Sequence, residues 1–145
     1  MARKIVAART TKINRPAAAP TALLEHYCRD LNGWPRSWMG LEEDLPPGEQ
    51  LVACFRPFLQ YLAESDLSPK TIQKHVDNLW VLGGEIIRDL NETPSLRKKK
   101  IEQILFDVID DDGGPLIYGV SSEQQQRSFD STCRKLQRFL AQHPC

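Results

Sequence analysis

What these 145 residues lack narrows their chemistry before anything they contain does. No apolar run approaches the roughly eighteen residues that a membrane-spanning helix needs. The segment from Met1 to Pro20 is too polar in its middle to hold the apolar region of a secretory signal, so a cytoplasmic protein with no membrane partner is expected. Cys28, Cys54, Cys133 and Cys145 are scattered without a Cys-x-x-Cys pair, which denies both a tetrahedral zinc site and a thioredoxin-like redox pair their spacing. Cys54 and Cys133 fall on apolar helical faces and read as buried free thiols. There is no phosphate-cradling glycine loop, no Gly-x-Ser-x-Gly elbow and no metal-spaced histidine pair. No enzymatic activity and no cofactor are therefore expected.

The acids Asp107, Asp110, Asp111 and Asp112 before Gly113-Gly114 invite a calcium reading. An EF-hand needs an acidic first ligand five residues before its glycine, and that position is Val108 or Ile109 here. The motif fails, and a solvated helix end is the expectation.

The chain is also without net charge, but the balance is uneven. Arg3, Lys4, Arg9, Lys12 and Arg15 stand in the first twenty residues with no acid, so residues 21–145 carry a net −5. Residues 1–20 lack periodicity and end in an Ala/Pro stretch, which reads as a flexible basic arm; residues 21–145 are the size of one domain. An acidic body must gather its cations locally to hold a polyanion, because Lys and Arg contacts to phosphates supply most non-specific affinity.

Apolar periodicity predicts an all-α fold of about five helices. Thr21 is placed to cap a short helix carrying Leu23, Leu24, Tyr27 and Leu31. Residues 32–48, rich in Pro and Gly, read as a long loop whose Trp34 and Trp38 fold back over the core. Leu51, Phe55, Phe58, Leu59 and Leu62 mark a helix from Glu49 to about Ser65, with a kink or break expected at Pro57. Ser68 and Pro69 define the next helix start sharply, and Ile72, Val76, Leu79, Gly83, Ile86 and Leu90 form its buried seam. Trp80 and Ile87 widen that stripe, and Gly83 points to close packing by a neighbour. Ser95 is expected to cap a further helix to about residue 110, with the cation run Arg97 to Lys100 in its first turns. The hydrophobic segment Leu116 to Val120 reads as an extended loop. Ser121 or Ser122 opens the last helix, with Phe129, Cys133, Leu136, Phe139 and Leu140 inward and Arg127, Arg134, Lys135 and Arg138 outward.

The stretch FRPFLQYLAESDLSPKTIQKHVDNLWVLGGEI, Phe55 to Ile86, resembles the core-binding, SAM-like helical domain that precedes the catalytic domain of tyrosine recombinases and phage integrases. The shared features are Phe58-Leu59 and Tyr61-Leu62 closing one helix, the Leu67-Ser68-Pro69 junction, Thr71-Ile72 at the next start, and the aromatic-aliphatic run after Leu79. The resemblance implies a compact SAM-like orthogonal bundle in which residues 49–92 form the core-binding-like helical pair. It also implies double-stranded DNA as partner, with Lys70, Thr71 and Lys74 on the phosphate backbone. Charge alone adds Arg97, Lys98, Lys99 and Lys100, and the arm adds Arg3, Lys4 and Arg9. The chain after residue 92 is too short for a recombinase catalytic domain, and Tyr118 has no partner motif. The expectation is thus a stand-alone, non-catalytic DNA-binding accessory protein of little sequence selectivity. The alternative is a protein-interaction adaptor with no nucleic-acid role. The DNA expectation requires Lys70 and Lys74 to share a surface with Arg97 to Lys100.

Overall fold

Ser68 begins the longest element of the fold. In the computed structural model, which describes residues 20–117 and 122–145, its hydroxyl accepts from the Thr71 amide while Pro69 takes the first helical position. A proline there loses no hydrogen bond, because that amide has no partner inside a helix. The helix runs unbroken from Pro69 to Glu92 and is α4 of six α-helices among the described residues. The others are α1 (Pro20–Tyr27), α2 (Trp34–Trp38), α3 (Leu45–Ala63), α5 (Ile101–Val108) and α6 (Glu123–Gln142). No strand occurs among the described residues, only an isolated bridge between Asp110 and Gly113. The fold is an all-α bundle, as the periodicity predicts.

Its core is the seam where α3, α4 and α6 meet. Leu51, Phe55, Phe58 and Leu62 of α3, Leu79, Leu82 and Ile86 of α4, and Phe129, Cys133 and Leu136 of α6 are all sealed from solvent. Leu105 of α5 closes one end of this core and Leu24 of α1 lies on its flank.

Several local expectations need correction. Residues 32–48 are not one long loop: 3-10 turns at Leu31–Gly33 and Glu42–Asp44 frame α2, and α3 already begins at Leu45. Pro46 and Pro47, within the expected loop, occupy the first turn of α3, where amides have no helical partner to lose. Pro57 does not divide α3. It and Ala53, whose carbonyl it deprives of a donor, are both on the exposed side, where water can take up that carbonyl. The helix expected from Ser95 is instead a 3-10 turn, Pro94–Lys98, followed by α5 with no side-chain cap. A run of four cations opposes the dipole of a helix start, and the structure keeps it out of α5. Ser122, not Ser121, caps α6 by accepting from the Gln125 amide.

The tryptophans do fold back. Trp34 is buried and Trp38 is half-buried, its Nε1 donating to the Trp80 carbonyl at 2.9 Å. The Trp38 ring lies directly on Gly83, so that a Cβ there would meet its six-membered ring. Gly83 is therefore a seat for an indole ring. Trp80 leaves the buried stripe: it is 43% exposed and donates from Nε1 to Ser37 Oγ.

Cys54 is not a free thiol. It pairs with Cys145 in a disulfide across 91 residues, with Cα atoms 4.8 Å apart, within the range that a disulfide spans. The tie fixes the segment after α6 onto α3. Cys28 and Cys133 remain free and buried. Burial, with Asp30 next, pushes the Cys28 thiol up to about 12. Burial, with Asp130 next, does the same for Cys133. Both are inert as nucleophiles.

Candidate functional site

The expected cation surface is not assembled. Lys70 and Lys74 lie in the first two turns of α4, while Arg97 to Lys100 follow its last turn. At about 1.5 Å per residue, the helix between Lys70 or Lys74 and Asn91, on which Arg97 rests, separates the two groups by roughly 25–30 Å.

Arg97 is committed to the interior. It donates from Nη2 to Asp44 Oδ1 at 2.6 Å and to Asn91 Oδ1 at 2.7 Å, and from Nη1 to the Glu43 carbonyl at 3.2 Å. Asp44 is buried and its other oxygen accepts from the amides of Gly40 and Leu41 and from Asn91. Burial pushes this carboxyl up, but Arg97, the two amides and Asn91 more than offset that and carry it down to about 2. The arrangement closes the junction between α2 and α3 onto the end of α4. Lys99 pairs with Asp107 at 3.2 Å. Lys98 and Lys100 alone of that run are exposed without an ion pair among the described residues.

At the other end of α4 the picture differs. Lys70 and Lys74 are exposed and make no ion pair among the described residues. Thr71 is largely spent on the helix cap, its hydroxyl accepting from Ser68 Oγ at 2.9 Å. Lys70, Thr71, Gln73, Lys74 and Asp77 line an open hollow of about 480 Å³. Lys74 also borders a second open hollow of about 590 Å³, walled by Arg127, Ser128 and Ser131 of α6. Arg127 there is weakly paired with Glu123 at 3.8 Å.

The contact that brings α6 to this end is polar, buried at His75 and Thr132 and half-buried at Asn78 and Ser128. His75 Nδ1 lies 2.6 Å from Thr132 Oγ1, and Asn78 Nδ2 donates to Thr132 Oγ1 and to Ser128. Residues 75 and 78 thus meet 132 and 128, so the two helices pass in opposite directions. Burial, then the charges of Lys135 and Lys74, lowers the His75 pKa to about 4. Both lysines are therefore close to one buried imidazole, which stays neutral so as not to add a third positive charge.

Beyond Lys135, α6 continues into a third hollow of about 260 Å³ lined by Phe58, Tyr61, Lys135, Arg138, Phe139, Gln142 and His143. Among the described residues its lining holds no Asp or Glu. Phe139 stacks on His143 with centroids 4.4 Å apart and planes 19° apart, and Tyr61 lies 5.4 Å from Phe139. Lys135 and Arg138 also make no ion pair among the described residues. In the sequence both look like the outer face of an ordinary amphipathic helix. The available signal was their spacing with Arg127 and Arg134, which puts four cations along one side of α6.

Arg3, Lys4 and Arg9 lie outside the described residues, as does Tyr118. Among the described residues no cluster of three His, Cys, Asp or Glu side chains is placed to hold a metal ion. Within the acidic loop Asp110 is turned on backbone, its Oδ1 accepting from the Asp112 and Gly113 amides, Asp107 is paired with Lys99, and Asp130 of α6 accepts from the Gly114 amide. No helix among the described residues is long and apolar enough to cross a membrane. No protein-family model, curated protein or solved structure matches this chain.

Proposed function

We propose that this protein is a non-catalytic nucleic-acid-binding accessory module whose cationic face is the start of α4 together with the outer side of α6. The surface first expected, Lys70 and Lys74 beside Arg97 to Lys100, is absent, so the reading now rests on a different one, the row Lys70, Lys74, Lys135 and Arg138. In a molecule whose described body is net negative, these four make no ion pair among the described residues, whereas Arg97, Lys99 and Arg127 are paired. Lys74 and Lys135 are held near each other by the His75–Thr132 contact. A polyanion laid along this edge gains several phosphate contacts and displaces its own counterions.

The resemblance to integrase core-binding domains supports the same end of α4, and with it a SAM-like arrangement of the helices. It supplies Lys70 and Lys74. Arg97 leaves the interface because it holds Asp44, and Lys98 to Lys100 leave it because they belong to the opposite end. Double-stranded DNA is the partner that the resemblance favours. A reducing cytoplasm would open the Cys54–Cys145 tie.

Titration of a labelled duplex by fluorescence polarisation at low and moderate salt tests the reading. Binding should weaken steeply with salt, with a logarithmic slope near −0.9 for each phosphate contacted, hence about −3 to −4 for this row. Absence of binding at low salt refutes it and favours the adaptor. That second reading draws on the net −5 of residues 21–145 and on the exposed Leu41, Trp80 and Leu116.

A further inference from the structure

We propose that the groove between the end of α3 and the last turns of α6 is a stacking site for the unpaired bases of a single-stranded nucleic acid. This deepens the reading above and rests on it. The groove joins two features that such a strand requires side by side: flat aromatic faces for its bases and cations for its phosphates. Phe139 and His143 form a stacked pair. Tyr61, 57% exposed, continues the row from α3. Lys135 and Arg138 edge it, and Gln142 adds an amide able to meet a base edge.

Size and charge select the occupant. At about 260 Å³ the groove lies below the roughly 300–1,000 Å³ of clefts that enclose whole small ligands. It suits one segment of a polymer that enters and leaves. With no acid in its lining, it favours an anionic chain. A duplex keeps its base faces stacked inside and reaches only the cations, so the aromatic row distinguishes a single strand from a duplex. In the disulfide form the groove's walls are also tied together: Cys54 lies one turn before Phe58 and two before Tyr61, and its partner Cys145 closely follows His143.

The experiment compares the full-length protein on three labelled ligands in one low-salt buffer: a short oligothymidylate, an abasic strand of equal length, and a duplex of equal length. The oligothymidylate should bind about tenfold more tightly than the abasic strand. Tyr61→Ala, which removes an exposed ring, should abolish most of that difference while leaving abasic-strand and duplex affinity unchanged. His143→Ala, in the segment after α6, provides a second variant that spares the core. Equal affinity for the base-bearing and abasic strands, with duplex binding retained, overturns the stacking site but leaves the cationic face standing. Loss of binding to all three overturns both. An acidic phosphopeptide that displaces oligothymidylate as well as the unlabelled strand does would also overturn it, and would assign the groove to peptide.

Discussion

His75 shows how one residue is made to serve two helices. Its imidazole is enclosed where α4 meets α6, against Thr132 and beside Lys74 and Lys135. An unfolded histidine titrates near 6.5, whereas burial and the two lysines hold this one near 4. Between those values the unfolded chain takes up a proton that the native one refuses. Stability from this site is therefore complete above about pH 6.5 and drains as pH falls toward 4, by roughly 3 kcal/mol in all. Asp44, lowered to about 2, acts in a separate window below the ordinary carboxylate range. Urea midpoints measured from about pH 7 to about pH 4.5 should fall more for the natural chain than for His75→Gln. Parallel curves would show that His75 titrates as freely in the fold as outside it. The sequence did not disclose this role, because His75 stands among Gln73, Lys74 and Asp77 and only the position of α6 decides that it is covered. Arg97 is the converse: within a run of cations it looks like a phosphate ligand, and a buried carboxylate more than fifty residues away claims it.

At the scale of elements, what was legible depended on local chemistry. The start of α4 follows from Ser68 and Pro69, and its buried face from spacings of three and four, so both can be read without knowing any neighbour. Where prolines cluster, the inference fails, because the same residue ends a helix in its interior and begins one at its first turn. Pro46 and Pro47 are of the second kind. Gly83 lies between these cases: its place in the seam announces a close neighbour, but only the fold shows that the neighbour is the Trp38 ring. Gly83→Ala improves helix propensity by about 1 kcal/mol and forces that ring off its seat, at about 1–3 kcal/mol. The net effect should be a modest loss of stability, with Trp38 and Trp80 fluorescence altered. A more stable Gly83→Ala protein with an unchanged spectrum would mean that the indole does not rest there.

For the whole molecule, the all-α architecture and most of the core follow from periodicity, whereas the candidate site does not. Lys70 and Lys74 are legible in the sequence, but their companions lie across the fold and not along the chain. A cation run adjacent in sequence, Arg97 to Lys100, proves to be distant in space, partly neutralised by Asp44 and Asp107. Lys135 and Arg138, more than sixty residues from Lys70, lie on the helix that docks beside its end. Such pairing is set by how α6 crosses α4, and that depends on the buried His75–Thr132 contact and the half-buried Asn78 and Ser128 beside it as much as on the apolar seam.

The central claim is that cations at the α4–α6 edge, and not those after α4, hold a nucleic acid. It is tested most directly by comparing two variants on the same labelled DNA in low salt: Lys74→Ala/Lys135→Ala/Arg138→Ala and Lys98→Ala/Lys100→Ala. Arg97 is left intact in both, since its removal would leave Asp44 buried without its guanidinium. The triple variant should bind at least tenfold more weakly and with a salt slope shallower by about 2 to 3, while the double variant matches the natural chain. Equal losses in the two variants, or a loss in the double variant alone, would contradict the account.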